Sequence, residues 1–220
     1  MLAGCNGAGK SSIGGAALRA NGAAYFNPDE AARAILNANA AGRPAMTQEQ
    51  ANGAAWSEGK RLLERAIREN LDFAFETTLG GTTISELLLQ AARDGVAVNI
   101  WFAGLDCLEL HLERVRRRVA QGGHDIPESK VRERYVRGRE NLIRLLPYLA
   151  SLRVYDNSAE ADPATGSQPR PVLLLEMQRG SIAPASHLRS LLGTTPNWAK
   201  PIVGAALKLH VQRGPRLKAQ

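Results

Sequence analysis

Two rhythms of apolar residues alternate along this chain. Short apolar runs at Ala23–Phe26, Asp72–Glu76, Val96–Phe102, Leu152–Tyr155 and Val172–Met177 each predict a strand. Between them, apolar residues recur at helical spacing. A helix is expected from about Lys10 to Ala20, with Ile13, Ala16, Ala17 and Ala20 on one face. Asp29 begins an alanine-rich helix to about Asn39, after Asn27-Pro28. Thr47-Gln48-Glu49-Gln50 is a capping box that opens a long helix to about Asn70, with Trp56, Leu63 and Ile67 on one face. Gly80-Gly81 precede a helix whose stripe is Ile84, Leu87, Leu88 and Ala91. Asp106 to Glu109 is a cap pattern for a helix carrying Leu108, Leu112, Val115 and Val119. Gln121–Pro127 breaks it, and Pro127 begins a further helix to about Leu146, with Val131, Tyr135, Leu142 and Leu145 on one side.

This alternation predicts an α/β fold built on a parallel sheet. Ala40–Pro44 reads as a loop. Residues 158–171, with Pro163, Gly166, Pro169 and Pro171, read as a hairpin connection rather than a domain linker. The tail from Ala183 is expected to hold two short helices and a frayed basic end. There is no internal repeat. The length of 220 residues suits one domain with a sizeable core.

Composition adds a direction. The net charge is +7, from 28 basic and 21 acidic side chains, which favours anionic partners such as nucleotides and sugar phosphates. Part of the excess is local, because Lys208, Arg213, Arg216 and Lys218 lie near the end with no acid among them. Cys5 and Cys107 are the only cysteines, so a structural disulfide is not expected and a reducing cytoplasm fits. No signal peptide is visible, and no apolar run has the length to cross a bilayer. Four scattered histidines and two distant cysteines make no zinc site.

Gly4 to Ser11 reads GCNGAGKS, the pattern of a loop whose backbone N–H groups wrap phosphate oxygens. Gly4, Gly7 and Gly9 permit conformations and close approaches that a Cβ would block. Lys10 places an ammonium on the β- and γ-phosphates, and the Ser11 hydroxyl is positioned to ligate Mg²⁺. The following helix points its positive end at the anion. Gly4, Asn6, Gly7, Ala8, Gly9, Lys10, Ser11 and Ser12 are thus the candidate nucleotide site, with ATP and Mg²⁺ as its cofactors. Such a loop normally leaves a buried central strand of about five residues. Only Met1, Leu2 and Ala3 precede Gly4. Either upstream strand residues lie before the recorded start, or the central strand is unusually short.

Ligands of open α/β sheets bind at the carboxyl ends of the strands. There the chain carries Asp29, then Glu76, Thr77 and Thr78, then Asp156 and Asn157. Phosphoryl transfer needs a carboxylate to take the acceptor's proton, groups to orient the acceptor, and cations on the transferring group. Asp29 can be the base, or it can simply cap its helix. Glu76 and Thr78 can hold acceptor hydroxyls. Arg114, Arg116, Arg117 and Arg118 read either as a solvated helix face or as part of a cation supply. Two helices joined across 121–127 make a hinged lid over a nucleotide.

Taken together these segments resemble the zeta-toxin-like P-loop kinases over about residues 1–157. The stretches that carry the resemblance are GCNGAGKS (4–11), FNPDEAAR (26–33), FETTLGG (75–81), GGHDIPESKVRERY (122–135) and YDNS (155–158). The resemblance implies a P-loop three-layer sandwich, a parallel sheet with helices on both faces and a helical lid at about 106–146, like nucleoside-monophosphate kinases. Residues 158–220 would be an extension of the same domain. It further implies an ATP-dependent kinase; the best-known toxins phosphorylate UDP-N-acetylglucosamine. Asp29 falls where those toxins have their general base, and Glu76 and Thr78 where they hold the sugar. The toxins place two lid arginines around the γ-phosphate. Arg114 or Arg118 can match the first. At the second position this chain has His124, so Arg132 or Arg134 would have to take over. The acceptor loop also lacks the arginine that often follows in the toxins. Both departures point to a subgroup with its own lid and its own acceptor. A helical antitoxin that blocks the ATP site is implied by the best-known relatives.

The main expectation is therefore an ATP-dependent phosphotransferase with an alcohol acceptor. A second reading is a non-toxic kinase of a small metabolite or nucleoside. A third, of another class, is an ATP-binding protein associated with nucleic acid. The net charge points that way, but only 5% of residues are aromatic and no ordered recognition motif is present.

Overall fold

A computed structural model describes residues 1–15, 24–39, 46–123, 125–160, 170–182 and 193–213. Seven strands form one sheet in the order β2-β3-β1-β4-β5-β6-β7. They are β1 (Leu2–Ala3), β2 (Ala24–Phe26), β3 (Phe73–Thr77), β4 (Asn99–Gly104), β5 (Ser151–Asp156), β6 (Val172–Gln178) and β7 (Ser181–Ile182). The first five are parallel, and β6 and β7 run antiparallel. The expected α/β class holds. Its parallel part ends at β5, beside which β6 runs antiparallel; the expected hairpin connection lies largely outside the described residues, at 161–169.

Among the described residues six α-helices connect and cover the strands: α1 (Pro28–Asn39), α2 (Gln48–Glu69), α3 (Thr82–Arg93), α4 (Leu108–Ala120), α5 (Glu128–Leu145) and α6 (Lys200–Arg213). Lys10 opens a helical segment whose residues Ser11–Gly15 have π geometry. The remainder of that expected helix lies outside the described residues, as do the expected loop at 40–44 and the region 183–192.

The central strand is two residues long. Leu2 and Ala3 pair with Glu76 and Thr77 of β3 on one side and with Trp101 and Phe102 of β4 on the other. Both residues are buried. The phosphate loop therefore leaves the middle of the sheet, at the point where strand order reverses.

Several boundaries differ from expectation for local reasons. Val96 belongs to the end of α3, not to a strand. Its N–H donates to the Ala91 carbonyl while Gly95 holds φ +94°, a Schellman ending. The same motif closes α4. Gly122 donates to Val119 O and Gly123 to Arg118 O, so this glycine pair is first of all a helix terminator. The expected Asp106 cap is absent. Cys107 precedes α4 without a side-chain cap, and the Asp106 N–H donates instead to Ser158 Oγ at 2.7 Å. The Thr47–Gln50 capping box is present in both directions.

Trp56 is exposed although Leu63 is buried. The first half of α2 packs through alanines, Ala51 and Ala55 against Ala32 of α1, and so close an approach has no room for an indole. The main core is formed by Phe75, Leu88, Ile100, Phe102, Leu142, Leu145, Leu152 and Val154. It continues into Ile202, Val203 and Ala206 of α6 and into Trp198. A separate small cluster joins Cys5 of the phosphate loop to Leu112, Val115, Ile126 and Val131 of the α4–α5 hairpin.

Candidate active site

Gly4 to Ser11 forms a compact loop at the upper end of β1. Gly9 has φ +74°, and a Cβ there would stand 2.3 Å from the Asn157 side-chain amide. That amide donates to the Ala8 carbonyl at 3.0 Å, so the end of β5 clamps the loop from outside. Ser12 and Ile13 donate back to the Gly9 carbonyl and begin the helical turn.

Lys10 folds its ammonium over the loop, donating to Gly4 O at 3.2 Å and Cys5 O at 3.5 Å. Its pKa lies below the ordinary lysine value because it is desolvated. The carboxylates of Glu76 and then Asp29 oppose that shift.

Glu76 is buried at the end of β3. Its Oε1 accepts from Ser11 Oγ at 2.7 Å and from the Tyr25 hydroxyl. Thr77 and Thr78 turn the chain after it, each hydroxyl oxygen accepting a loop amide, from Leu79 and Gly80 respectively. Thr78 thus keeps its O–H to donate.

Two roles were open to Asp29, and the cap is taken by another residue. Asn27 Oδ1 accepts from the Asp29 N–H at 2.9 Å and the Glu30 N–H at 3.4 Å. The Asp29 carboxylate pairs instead with Arg118 Nη1 at 3.2 Å.

The other arginines separate. Arg114 donates to the carbonyls of Ser158 and Ala159 and pairs with Glu160, which ties α4 to the loop after β5. Arg132 pairs with Glu128 one turn back on α5 and is half exposed, away from the loop. Arg134, two residues on, faces the other way and donates to Asn6 Oδ1 at 3.0 Å. His124 lies outside the described residues.

Two contributors were not singled out in the sequence. Buried His111 holds the Asn6 carbonyl through Nδ1 at 2.7 Å, and its ring meets Tyr135 edge-on. A carbonyl only accepts, so Nδ1 carries the proton. Burial pushes its pKa down to about 4, with Lys10, Arg114 and Arg139 acting in the same direction. Its signal was its place in the α4 stripe between Leu108 and Leu112. Tyr25 was hidden in a strand read only for its apolar rhythm.

Asp156 serves the scaffold: Oδ2 accepts from the Trp198 indole at 2.6 Å and Oδ1 from the Ser158 N–H. Cys5 donates to Val131 O, and burial pushes its thiol up to about 11, so it stays protonated and unreactive at neutral pH. Both cysteines are free thiols. Among the described residues no cluster of His, Cys, Asp or Glu could hold a metal by itself, and no helix is long and apolar enough to cross a membrane. Ser11 and Glu76 do offer adjacent hard oxygens of the kind Mg²⁺ takes beside phosphates.

Comparison with known proteins places the chain in a family and a fold. The family model Zeta toxin matches residues 1–162. An uncharacterized protein of Haemophilus influenzae is 35% identical over 74 residues, 34% of this chain and 53% of that protein, so the match spans about half the relative's length. Among solved structures, AvrRxo1-ORF1:-ORF2 crystallised with ATP has a TM-score of 0.61 and 17% identity, covering 96% of this chain and 74% of that one. The native AvrRxo1-ORF1:-ORF2 complex aligns with a TM-score of 0.60 over the same shares. At this identity the likeness is one of fold.

Proposed function

The chain belongs to the zeta toxin family, and on that premise we propose that it is an ATP-dependent phosphotransferase with an alcohol acceptor. The observation that carries the reading is Asp29. Asn27 relieves it of capping, it stands near enough to Lys10 to favour the ammonium, and Arg118 holds its carboxylate.

In this reading the loop amides, Lys10 and Ser11 bind the phosphates of ATP, and an AvrRxo1 complex crystallised with ATP supports that ligand. Magnesium, held with the phosphates by Ser11 and backed by Glu76, would neutralise charge across the β- and γ-groups. The acceptor hydroxyl gives its proton to the Asp29 carboxylate as its oxygen bonds to the γ-phosphorus. The bond from that phosphorus to the β–γ bridging oxygen breaks, and ADP leaves with the electron pair. Arg118 moves from Asp29 to the transferring group, which carries more charge than one carboxylate. Glu76 and Thr78 hold the acceptor. Because Glu76 also anchors Ser11, its loss would impair nucleotide and acceptor together, whereas loss of Thr78 would impair the acceptor alone.

UDP-N-acetylglucosamine is the first acceptor to test. An inhibitory partner protein is the natural companion to look for, since AvrRxo1-ORF1 is crystallised with AvrRxo1-ORF2. The cytoplasm is the compartment that supplies ATP and reduced thiols.

The test is mass spectrometry of protein with ATP and Mg²⁺, first with UDP-N-acetylglucosamine and then with a bacterial metabolite extract. A species heavier by one phosphoryl group identifies reaction and acceptor together. ATP bound but never consumed, in either mixture, would end the kinase reading. Growth arrest that requires both Lys10 and Asp29 separates a toxin from a metabolite kinase.

A further inference from the structure

The loop after β3 is held in an unusual way. Leu79 is buried with φ +55°, a left-handed conformation that a branched side chain adopts only when its surroundings impose it. Those surroundings are α5. Asn141 donates to the carbonyls of Leu79 at 2.8 Å and Gly81 at 3.3 Å. Gly138 lies so close to the Thr78 carbonyl that a Cβ would stand 2.8 Å from it. Gly80 is covered by Arg134: a Cβ on Gly80 would meet its Cγ at 2.7 Å and its Cα at 3.0 Å.

The other end of the same arginine reaches the phosphate loop. Arg134 Nη1 donates to Asn6 Oδ1 at 3.0 Å, and one turn earlier Cys5 donates to the Val131 carbonyl at 3.4 Å. Asn6 is itself buried and held by His111. One side chain therefore has its stem on the acceptor-side loop and its guanidinium on the nucleotide-side loop.

We propose that Arg134 is a positioning residue that couples the two halves of the site, so that a filled phosphate loop fixes the Thr78–Gly81 loop in place. This rests on the reading of residues 4–11 as a nucleotide site. The coupling needs no long path. Asn6 and Gly80 share Arg134 as a neighbour, and a shift of either is felt by it. The planar guanidinium sets the contact with Asn6, while the stem of the same side chain covers Gly80.

Hydrogen–deuterium exchange on the full chain, with and without Mg²⁺ and a non-hydrolysable ATP analogue, tests this. In the wild type the analogue should slow exchange in residues 4–9 and also in 77–82, the latter about fivefold or more, the lower end for coupled sites. In Arg134→Gln the analogue should still slow 4–9 but no longer 77–82. Gly80→Ala, which displaces the loop from the other side, should give the same split should Arg134→Gln fail to fold. Arg137→Gln, an exposed residue of α5 paired with Glu133, should behave as wild type. Protection that still reaches 77–82 in the Arg134→Gln and Gly80→Ala variants overturns the coupling, as does a wild type protected at 4–9 alone. No protection anywhere in the wild type removes the nucleotide site itself.

Discussion

Arg118 of α4 donates to the carboxylate of Asp29 on α1 at 3.2 Å, joining the cation and the base proposed for phosphoryl transfer. Both side chains are more than a third exposed, so the pair contributes little to stability, under about 1 kcal/mol. Its proposed value lies in the reaction. Arg118→Gln should leave the thermal midpoint almost unchanged and lower kcat about a hundredfold, the usual effect of removing one donor to a developing anion. Steady-state kinetics beside a melting curve checks this. Equal activity would remove Arg118 from the site.

Arg132→Gln gives the contrast. Arg132 is engaged with Glu128 and turned away from the loop. Its replacement should change kcat and KM by no more than about twofold, the scale of an ordinary surface substitution. A large loss would mean that α5 rotates on binding substrate.

The Asn157–Ala8 hydrogen bond predicts a loop that depends on the neighbouring strand. Asn157→Ala leaves the Ala8 carbonyl without its donor and should cost about 1 kcal/mol of stability. Gly9→Ala should be worse, since it combines a positive φ with a collision against that same amide. Nucleotide titration calorimetry should show weaker binding for both, in that order.

His111 predicts a pH dependence. Its pKa falls from the ordinary 6.5 to about 4 on folding, so the unfolded chain binds its proton more readily. Its contribution is complete above about pH 6.5 and is lost as pH falls toward 4, roughly 3 kcal/mol in all. Urea unfolding at pH 7.5 and 4.5 measures that fall. His111→Gln can still donate to Asn6 and should flatten the slope. An unchanged slope would show that other groups cause it.

Trp198 lies beyond the family match, yet it is buried, stacks on Phe102 and bonds Asp156. Trp198→Phe should cost about 1–3 kcal/mol by leaving the Asp156 carboxylate short of a donor. Trp198→Ala should cost about 3–5 kcal/mol. Denaturant midpoints decide whether residues 193–213 are needed to hold the end of β5.

The parts of this fold that were legible in the sequence are those whose signal is local. Glycine spacing gave the phosphate loop, Thr47 and Gln50 gave the start of α2, and apolar runs gave five of the seven strands. What escaped depends on contacts distant along the chain. Asn27 and Asp29 are both good cap residues, and only the folded backbone decides between them. Trp56 looked like core because the alanine face of α1 that excludes it lies elsewhere in the chain. Arg132 and Arg134 sit two positions apart and so face opposite ways. The Glu128–Arg132 spacing was a local clue to which of them is outward. His111 reads as a stray polar residue until the Asn6 carbonyl arrives beside it. The helix Lys200–Arg213 has apolar residues all round, which hid its burial against β7 and α5.

Asp29→Asn is the sharpest probe of the proposed base, because it keeps the shape of the side chain and removes only its basicity. Transfer of phosphate from ATP should fall by about 10²–10⁴, the range for loss of a general base. Calorimetric binding of ATP with Mg²⁺ should stay within a few-fold of wild type. Transfer that persists at the wild-type rate, or binding lost in step with transfer, would contradict the central claim that this carboxylate readies a hydroxyl beside the phosphate loop.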